Sequence, residues 1–207
     1  DHRDLHLSLR RQRQMCIRDS YFKMKILGET LDDAIGEAFD KCGKKLGLDY
    51  PAGPEIDKLS KLGDEHKFNF PLPKVEGGYI SYSGTKTAFI NFLHNNINKN
   101  KNFIDENLHD ICASIQKNLI DNLLNKVKFL AIENNLNSII FGGGVAANSY
   151  LKNRLDYESR ENNWTVFIPE LQYTTDNAAM IGIVGYLKYY TSKLSDLKSS
   201  PLPRYSF

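Results

Sequence analysis

The residues Ser138-Ile139-Ile140-Phe141 run directly into Gly142-Gly143-Gly144, and a helical pattern resumes from about residue 146. A short apolar run with two β-branched residues reads as a buried strand, and three consecutive glycines read as a turn. A strand that turns on glycine straight into a helix is the building unit of an α/β domain. The pattern repeats downstream, with a strand over residues 164–168 and a helix from about 176 to 192. From Tyr21 onward the whole chain alternates helix and strand, so the predicted fold class is α/β.

Upstream, Thr30 followed by Asp32 and Asp33 looks like an N-cap with first-turn acids, opening a helix that runs to about Leu46 and stops at Gly47. The loop Asp49-Tyr50-Pro51-Ala52-Gly53-Pro54 is turn chemistry, and Pro54 suits the first position of a helix over 54–62. A linker carrying Pro71 and Pro73 leads to a short strand over 78–82 and a helix over 83–94 capped by Ser83. The longest predicted helix spans 105–134. Leu108, Ile111, Ile115, Leu119, Leu123, Val127 and Leu130 draw one buried stripe along it.

Composition narrows the class. With 41% hydrophobic and 25% charged residues among 207, the chain has material for a sizeable core and is neither collagen-like nor a disordered polyelectrolyte. Its longest near-apolar stretch, residues 178–187, is about half of what a bilayer-spanning helix needs. Cys16, Cys42 and Cys112 show no CxxC spacing and cannot all pair, which points to a reducing, cytoplasmic setting. The formal charge of +2 is uneven: residues 1–25 hold seven Lys/Arg against three Asp, leaving twenty basic and twenty-two acidic side chains in the other 182 residues. That basic leader lacks the apolar core of a secretory signal and any clean amphipathic face, and it does not begin with Met. It resembles translated sequencing-adapter or cloning sequence. Residues 1–20 are therefore expected to be a non-native, disordered leader, 21–195 the α/β domain, and 196–207, with Pro201 and Pro203, an irregular tail.

Four stretches can carry chemistry. Gly142, Gly143 and Gly144 leave backbone N–H groups free over a helix N-terminus, which suits a phosphate or ribose, and Asn148 follows in the first turn. The alternative is a plain glycine turn with Asn148 as a local cap. Asp176, in Thr174-Thr175-Asp176-Asn177, is either an oxygen ligand for a hard or borderline cation or an N-cap. Glu29, Asp33, Glu37 and Asp40 follow helical spacing, so a solvated acidic face competes with a role for Asp40 in binding a ribose or an amine. Gly36, inside the same helix, hints at close packing or ligand approach. Lys86, in Ser83-Gly84-Thr85-Lys86, either meets a phosphate or is solvated. The chain is read as carrying no HxxxH, HExxH or GxSxG pattern, with His66, His94 and His109 standing alone.

Together, GETLDDAIGEAFDKCGKKLGLDYPAGP, SYSGTKTA, FGGGVAANSYL and TTDNAAM resemble the universal tRNA threonylcarbamoyladenosine transferase family, TsaD in bacteria, over about residues 24–195. The resemblance implies an actin-like/Hsp70-like ATPase (ASKHA) fold, here mainly the second lobe and incomplete. It implies transfer of a threonylcarbamoyl group from threonylcarbamoyl-AMP to N6 of the adenosine 3′ of the anticodon, releasing AMP. By motif match, Asp40, Gly53 and Asn148 would contact the adenylate beside the glycine triplet, and Asp176 would be one ligand of a divalent metal ion, iron or zinc. The implied partners are tRNA and TsaB-like and TsaE-like proteins, with no membrane.

The chain departs from the family pattern in places. Pro51-Ala52-Gly53-Pro54 stands where PGGP is usual, and SGTK where SGLK is common. The family's HxxxH metal helix and its SGGH loop lie upstream of the matching region, and both are expected to be missing from this chain. One carboxylate cannot hold a catalytic metal, since such sites need about three protein ligands. The chain is therefore expected to be roughly the downstream half of such an enzyme and to transfer nothing measurable alone. A kinase or ATPase of the same fold class, or a non-catalytic scaffold paralogue, would share the glycine turn; GEAFDK and TTDNAAM argue against the first, and the joint presence of Asp40, Asn148 and Asp176 against the second.

Overall fold

The computed structural model describes residues 14–192 except residue 21. In chain order the elements are β1 (Gln14–Ser20), β2 (Lys23–Glu29), α1 (Ile35–Lys45), α2 (Ala52–Ser60), α3 (Ser83–Ile97), α4 (Phe103–Glu133), β3 (Ser138–Ile140), α5 (Ser149–Asn162), β4 (Thr165–Phe167) and α6 (Ala178–Tyr190). Single 3₁₀ turns at Gly144–Ala147 and Leu171–Tyr173 precede α5 and α6. β3 and β4 pair in parallel, as two strands joined by a crossover helix must, with Ile139 opposite Val166. β1 and β2 form an antiparallel ribbon, and a parallel bridge links Thr30 to Ile80. The α/β class is as expected. Among the described residues no helix is long and apolar enough to cross a membrane.

α4 is the spine. Ile111, Ile115 and Leu119 of the apolar stripe are fully buried, and so are Cys112 and Ile120 on neighbouring faces, so helices cover this segment on more than one side. α1 and α2 lie against it through Phe39, Cys42 and Ile56, and α3 through Phe89 and Leu93. Phe68, Phe70, Phe92 and Phe103 close one end of this core in edge-on and tilted contacts at 5.0–5.9 Å. Gly43 lets α1 and α2 touch: a Cβ there would sit 2.2 Å from Ala52 Cβ.

Several local expectations are corrected. Residues 1–20 were read as a disordered leader, but Gln14–Ser20 is a strand, held by backbone pairing to β2, which a basic composition does not oppose; residues 1–13, and the tail from 193, lie outside the described residues. α1 begins at Ile35, because Thr30 is engaged in the bridge to Ile80 and its hydroxyl donates to the Asp33 carbonyl. Pro54 is the third helical residue of α2, a position where the missing N–H still costs nothing. The strand expected over 78–82 is reduced to the single bridge at Ile80. β3 is not buried: Ile140 is 70% exposed, since the strand has one neighbour and nothing packs over its outer face among the described residues.

Candidate functional site

The two aspartates expected in the first turn of α1 act across space. Asp32 Oδ1 accepts the Tyr82 N–H at 2.8 Å, and Oδ2 accepts the Ser83 N–H at 3.2 Å and the Ser81 hydroxyl at 2.5 Å. The carboxylate thus caps α3, the task expected of Ser83, which is the first helical residue and not the N-cap. Burial pulls the Asp32 carboxyl upward, but these hydrogen bonds outweigh it and bring it down to about 2. Asp33 is buried and paired with Lys41 and with Lys86, the latter at 2.7 Å. Burial again works against its ionisation, and the two ammonium groups overcome it, so its pKa is lowered. Lys86 is therefore neither a solvated side chain nor turned to a phosphate, and the acidic face of α1 is not simply solvated.

Asp40 lies one turn beyond Gly36 on the same face of α1. At the Gly36 end this face meets the loop after the glycine triplet: a Cβ on Gly36 would contact Val145 Cγ2 at 3.4 Å. At the other end Asp40 Oδ1 accepts the Ala52 N–H at 2.8 Å, next to Gly53 in the first turn of α2. A Cβ at Gly36 would make only an ordinary van der Waals contact there, so close packing does not by itself demand the glycine.

The glycine triplet forms an open turn. Gly143 has φ of 83°, a conformation that favours glycine, and no atom outside the turn crowds Gly142 or Gly144. The helix does not start directly after it. The 3₁₀ turn Gly144–Ala147 intervenes, and Asn148 is the N-cap of α5 rather than a first-turn residue. Asn148 Oδ1 accepts the Leu151 N–H at 2.9 Å, and its Nδ2 donates to Gln116 Oε1 at 2.8 Å. Asp57 of α2 adds to the same helix end, accepting the Ser149 hydroxyl at 2.9 Å and its N–H at 3.1 Å. An apolar cleft of about 280 Å³ runs beside the turn, lined by Ile35, Tyr82, Leu123, Phe141, Gly142 and Val145. The structure therefore gathers Asp40, Gly53, Gly142–144 and Asn148 around α1 and the adjoining ends of α2 and α5. Asp176 is exposed, and Asn177, not Asp176, caps α6 by accepting the Met180 N–H at 3.1 Å.

Comparison with known proteins settles the lineage. The family profile of TsaD, tRNA N6-adenosine threonylcarbamoyltransferase, matches residues 7–183. The chain belongs to the TsaD family. It is 46% identical over 187 residues to the tRNA N6-adenosine threonylcarbamoyltransferase of Christiangramia forsetii, covering 90% of this chain and 55% of that protein. The corresponding figures are 45% identity, 89% and 54% for the Riemerella anatipestifer enzyme, and 46%, 87% and 54% for that of Thermosipho africanus. The chain spans about half the length of the curated relatives it matches.

TsaD resemblance implies a divalent metal, and the described residues do not fit one. No three His, Cys, Asp or Glu side chains among them are grouped to hold an ion, and Asp176 stands exposed at the mouth of α6. The HxxxH spacing does occur once in the full chain, at His2-Arg3-Asp4-Leu5-His6, ahead of the matched range and outside the described residues. This spacing corrects the expectation of a chain without HxxxH. Sequence reasoning also missed Gln116 and Ser60, whose only signal was a polar residue within an otherwise apolar helical stripe, and the reach of Asp32, which looks like a first-turn acid of its own helix.

Proposed function

We propose that this chain supplies the adenylate-holding part of a tRNA threonylcarbamoyltransferase, with the ASKHA fold and mainly its second lobe. What supports this most is that Asp40 of α1 is fixed beside Gly53 of α2 while the glycine-turn stretch 142–148 meets the same face of α1 at Gly36, in a chain of the TsaD family. In this reading, the open glycine turn lets the phosphate of threonylcarbamoyl-AMP approach the backbone N–H groups. The Asp40 carboxylate serves as acceptor for the ribose hydroxyls. Gly53, small and next to Asp40, leaves room for the nucleoside, and Asn148 donates an amide N–H.

The reaction is acyl transfer from a mixed anhydride. The adenosine N6 attacks the carbamoyl carbon, the carbon–oxygen bond to the phosphate breaks, and AMP leaves with the electron pair as the amine loses a proton. The contribution of these residues is to hold the leaving group still, so that the incoming amine meets a fixed carbonyl. Asp176 would join a metal only with ligands from elsewhere, and no step is drawn through it. The tRNA substrate and TsaB-like and TsaE-like partners belong to the same reading.

The test is an amide NMR titration of the chain with AMP. Shifts confined to Asp40, Gly53, residues 142–148 and their neighbours are expected, and their loss in Asp40→Asn and Asn148→Ala. A titration that leaves these amides unmoved at millimolar AMP would refute the site. Incubated alone with threonylcarbamoyl-AMP and tRNA, the chain is expected to transfer no threonylcarbamoyl group.

A further inference from the structure

Gln116 sits at the middle of α4, only 2% exposed, between the apolar Ile115 and Ile120. A buried side-chain amide must have both its ends satisfied, and here both partners lead to one place. Gln116 Oε1 accepts from Asn148 Nδ2 at 2.8 Å, and Gln116 Nε2 donates to Ser60 Oγ at 2.7 Å. Ser60, in turn, donates its proton to the Asp57 carbonyl at 3.0 Å.

The direction of this chain is forced from its two ends. At one end the Leu151 N–H needs an acceptor, so Asn148 presents Oδ1 to it and Nδ2 to Gln116. Gln116 must then offer Oε1 to Asn148 and Nε2 to Ser60. At the other end the Asp57 carbonyl can only accept, so the Ser60 proton goes there and its oxygen is available to Gln116. Reversing either amide would set donor against donor or acceptor against acceptor at two contacts. Asn148 has two N–H groups and an oxygen with two lone pairs. One N–H and one lone pair are used internally, which leaves the second N–H for a ligand over the glycine turn.

We infer that Gln116, backed by Ser60, is the positioning residue that orients the Asn148 amide toward the adenylate. The role for a ligand rests on the nucleotide reading above, whereas the orienting role does not. It assigns a purpose to two buried polar residues in the core between α2, α4 and α5 that packing alone would fill with apolar side chains.

The test uses the full 207-residue chain with nitrogen-labelled asparagine. In Gln116→Met, the Asn148 side-chain amide is expected to move toward its solvent-exposed position and to exchange faster, and the AMP dissociation constant to rise about fivefold, the value of one neutral hydrogen bond. Gln116→Glu should restore both readouts at acidic pH, where the protonated carboxyl accepts from Asn148 and donates to Ser60. Ser60→Ala, which removes one hydroxyl at the far end, should shift both in the same direction by less, and it serves if Gln116→Met does not fold. An Asn148 amide unmoved in these variants overturns the inference, and so does an amide set loose with AMP affinity unchanged. If the wild-type chain binds no AMP, the nucleotide reading fails, while the amide signal still decides whether Gln116 holds Asn148.

Discussion

Removing the Asp32 carboxylate should loosen α3 from a position fifty residues away in sequence. Its oxygens accept hydrogen bonds from the N–H groups of Asp33, Tyr82 and Ser83, and from the Ser81 hydroxyl. In Asp32→Ala the last two N–H groups, at the N-terminus of α3, lose their acceptor. Hydrogen bonds to a charged group are worth about 1.5–3 kcal/mol each, but water can reach this partly exposed site, so the net loss should be about 3 kcal/mol at neutral pH. The titrating share follows from the carboxyl lying at about 2 instead of 3.8. That difference corresponds to at most about 2.4 kcal/mol, and solvent screening reduces it to about 1 kcal/mol. Because the folded-state pKa is depressed, this share is fully present well above pH 3.8 and is lost as pH falls toward 2, with about half gone at pH 3. Urea unfolding followed by circular dichroism should give an Asp32→Ala midpoint about 1 M below wild type at pH 7, with the gap narrowing between pH 6 and pH 3. A midpoint within about 0.2 M of wild type, or a gap constant with pH, would refute Asp32 as the cap of α3.

Gly43→Ala places a methyl group 2.2 Å from Ala52 Cβ and should destabilise the chain by about 2 kcal/mol, measured by the same urea titration, because α1 and α2 must move apart. Burial raises the thiols of Cys42 and Cys112 to about 12; under native conditions at pH 8 a thiol reagent should modify exposed Cys16 at once and these two only after unfolding. Asn177→Ala should cost about 1 kcal/mol of local stability in α6, read by amide exchange of Met180, because the cap is lost. Asp176→Ala should leave that exchange rate unchanged; an equal effect of the two substitutions would contradict the cap assignment.

Much of the fold could be read from periodicity. α4 was expected over 105–134 and runs Phe103–Glu133, and the Gly47 stop holds because that residue has φ of 80°, where helical continuation is not possible. Local signals failed where the partner is distant. Thr30 looks like a cap and Asp32 like a first-turn acid in sequence, yet their hydrogen bonds go to Asp33 and to the start of α3, and only the tertiary fold decides which orphan N–H groups a carboxylate reaches. In the same way Lys86 looked like a solvated cation until α1 brought Asp33 to it. The site was legible as separate motifs. Neither motif nor spacing could show that Asp40 would be fixed on the Ala52 N–H or that Asn148 would be held through Gln116.

The misjudged burial of β3 has a different physical origin. Apolarity in a sequence records the surroundings in which a segment is finally packed. Ile140 and Phe167 on the two paired strands are more than half exposed, and α6 is apolar on every face, with Ile181 and Tyr190 each 77% exposed. A parallel pair is stable only with both faces covered, and a helix apolar all round belongs to an interior. These segments satisfy neither condition among the described residues, whereas the α1–α2–α4–α5 body that carries Asp40, Gly53 and Asn148 has a closed apolar core in which Gln116 pairs with both Ser60 and Asn148. Asp40, Gly53 and Asn148 therefore rest on contacts among the described residues, whereas β3, β4 and α6 stay largely exposed among them. That separation is why disturbing Gln116 should alter the Asn148 amide without disturbing α6, and why Asn177→Ala should leave the Asn148 amide where it is.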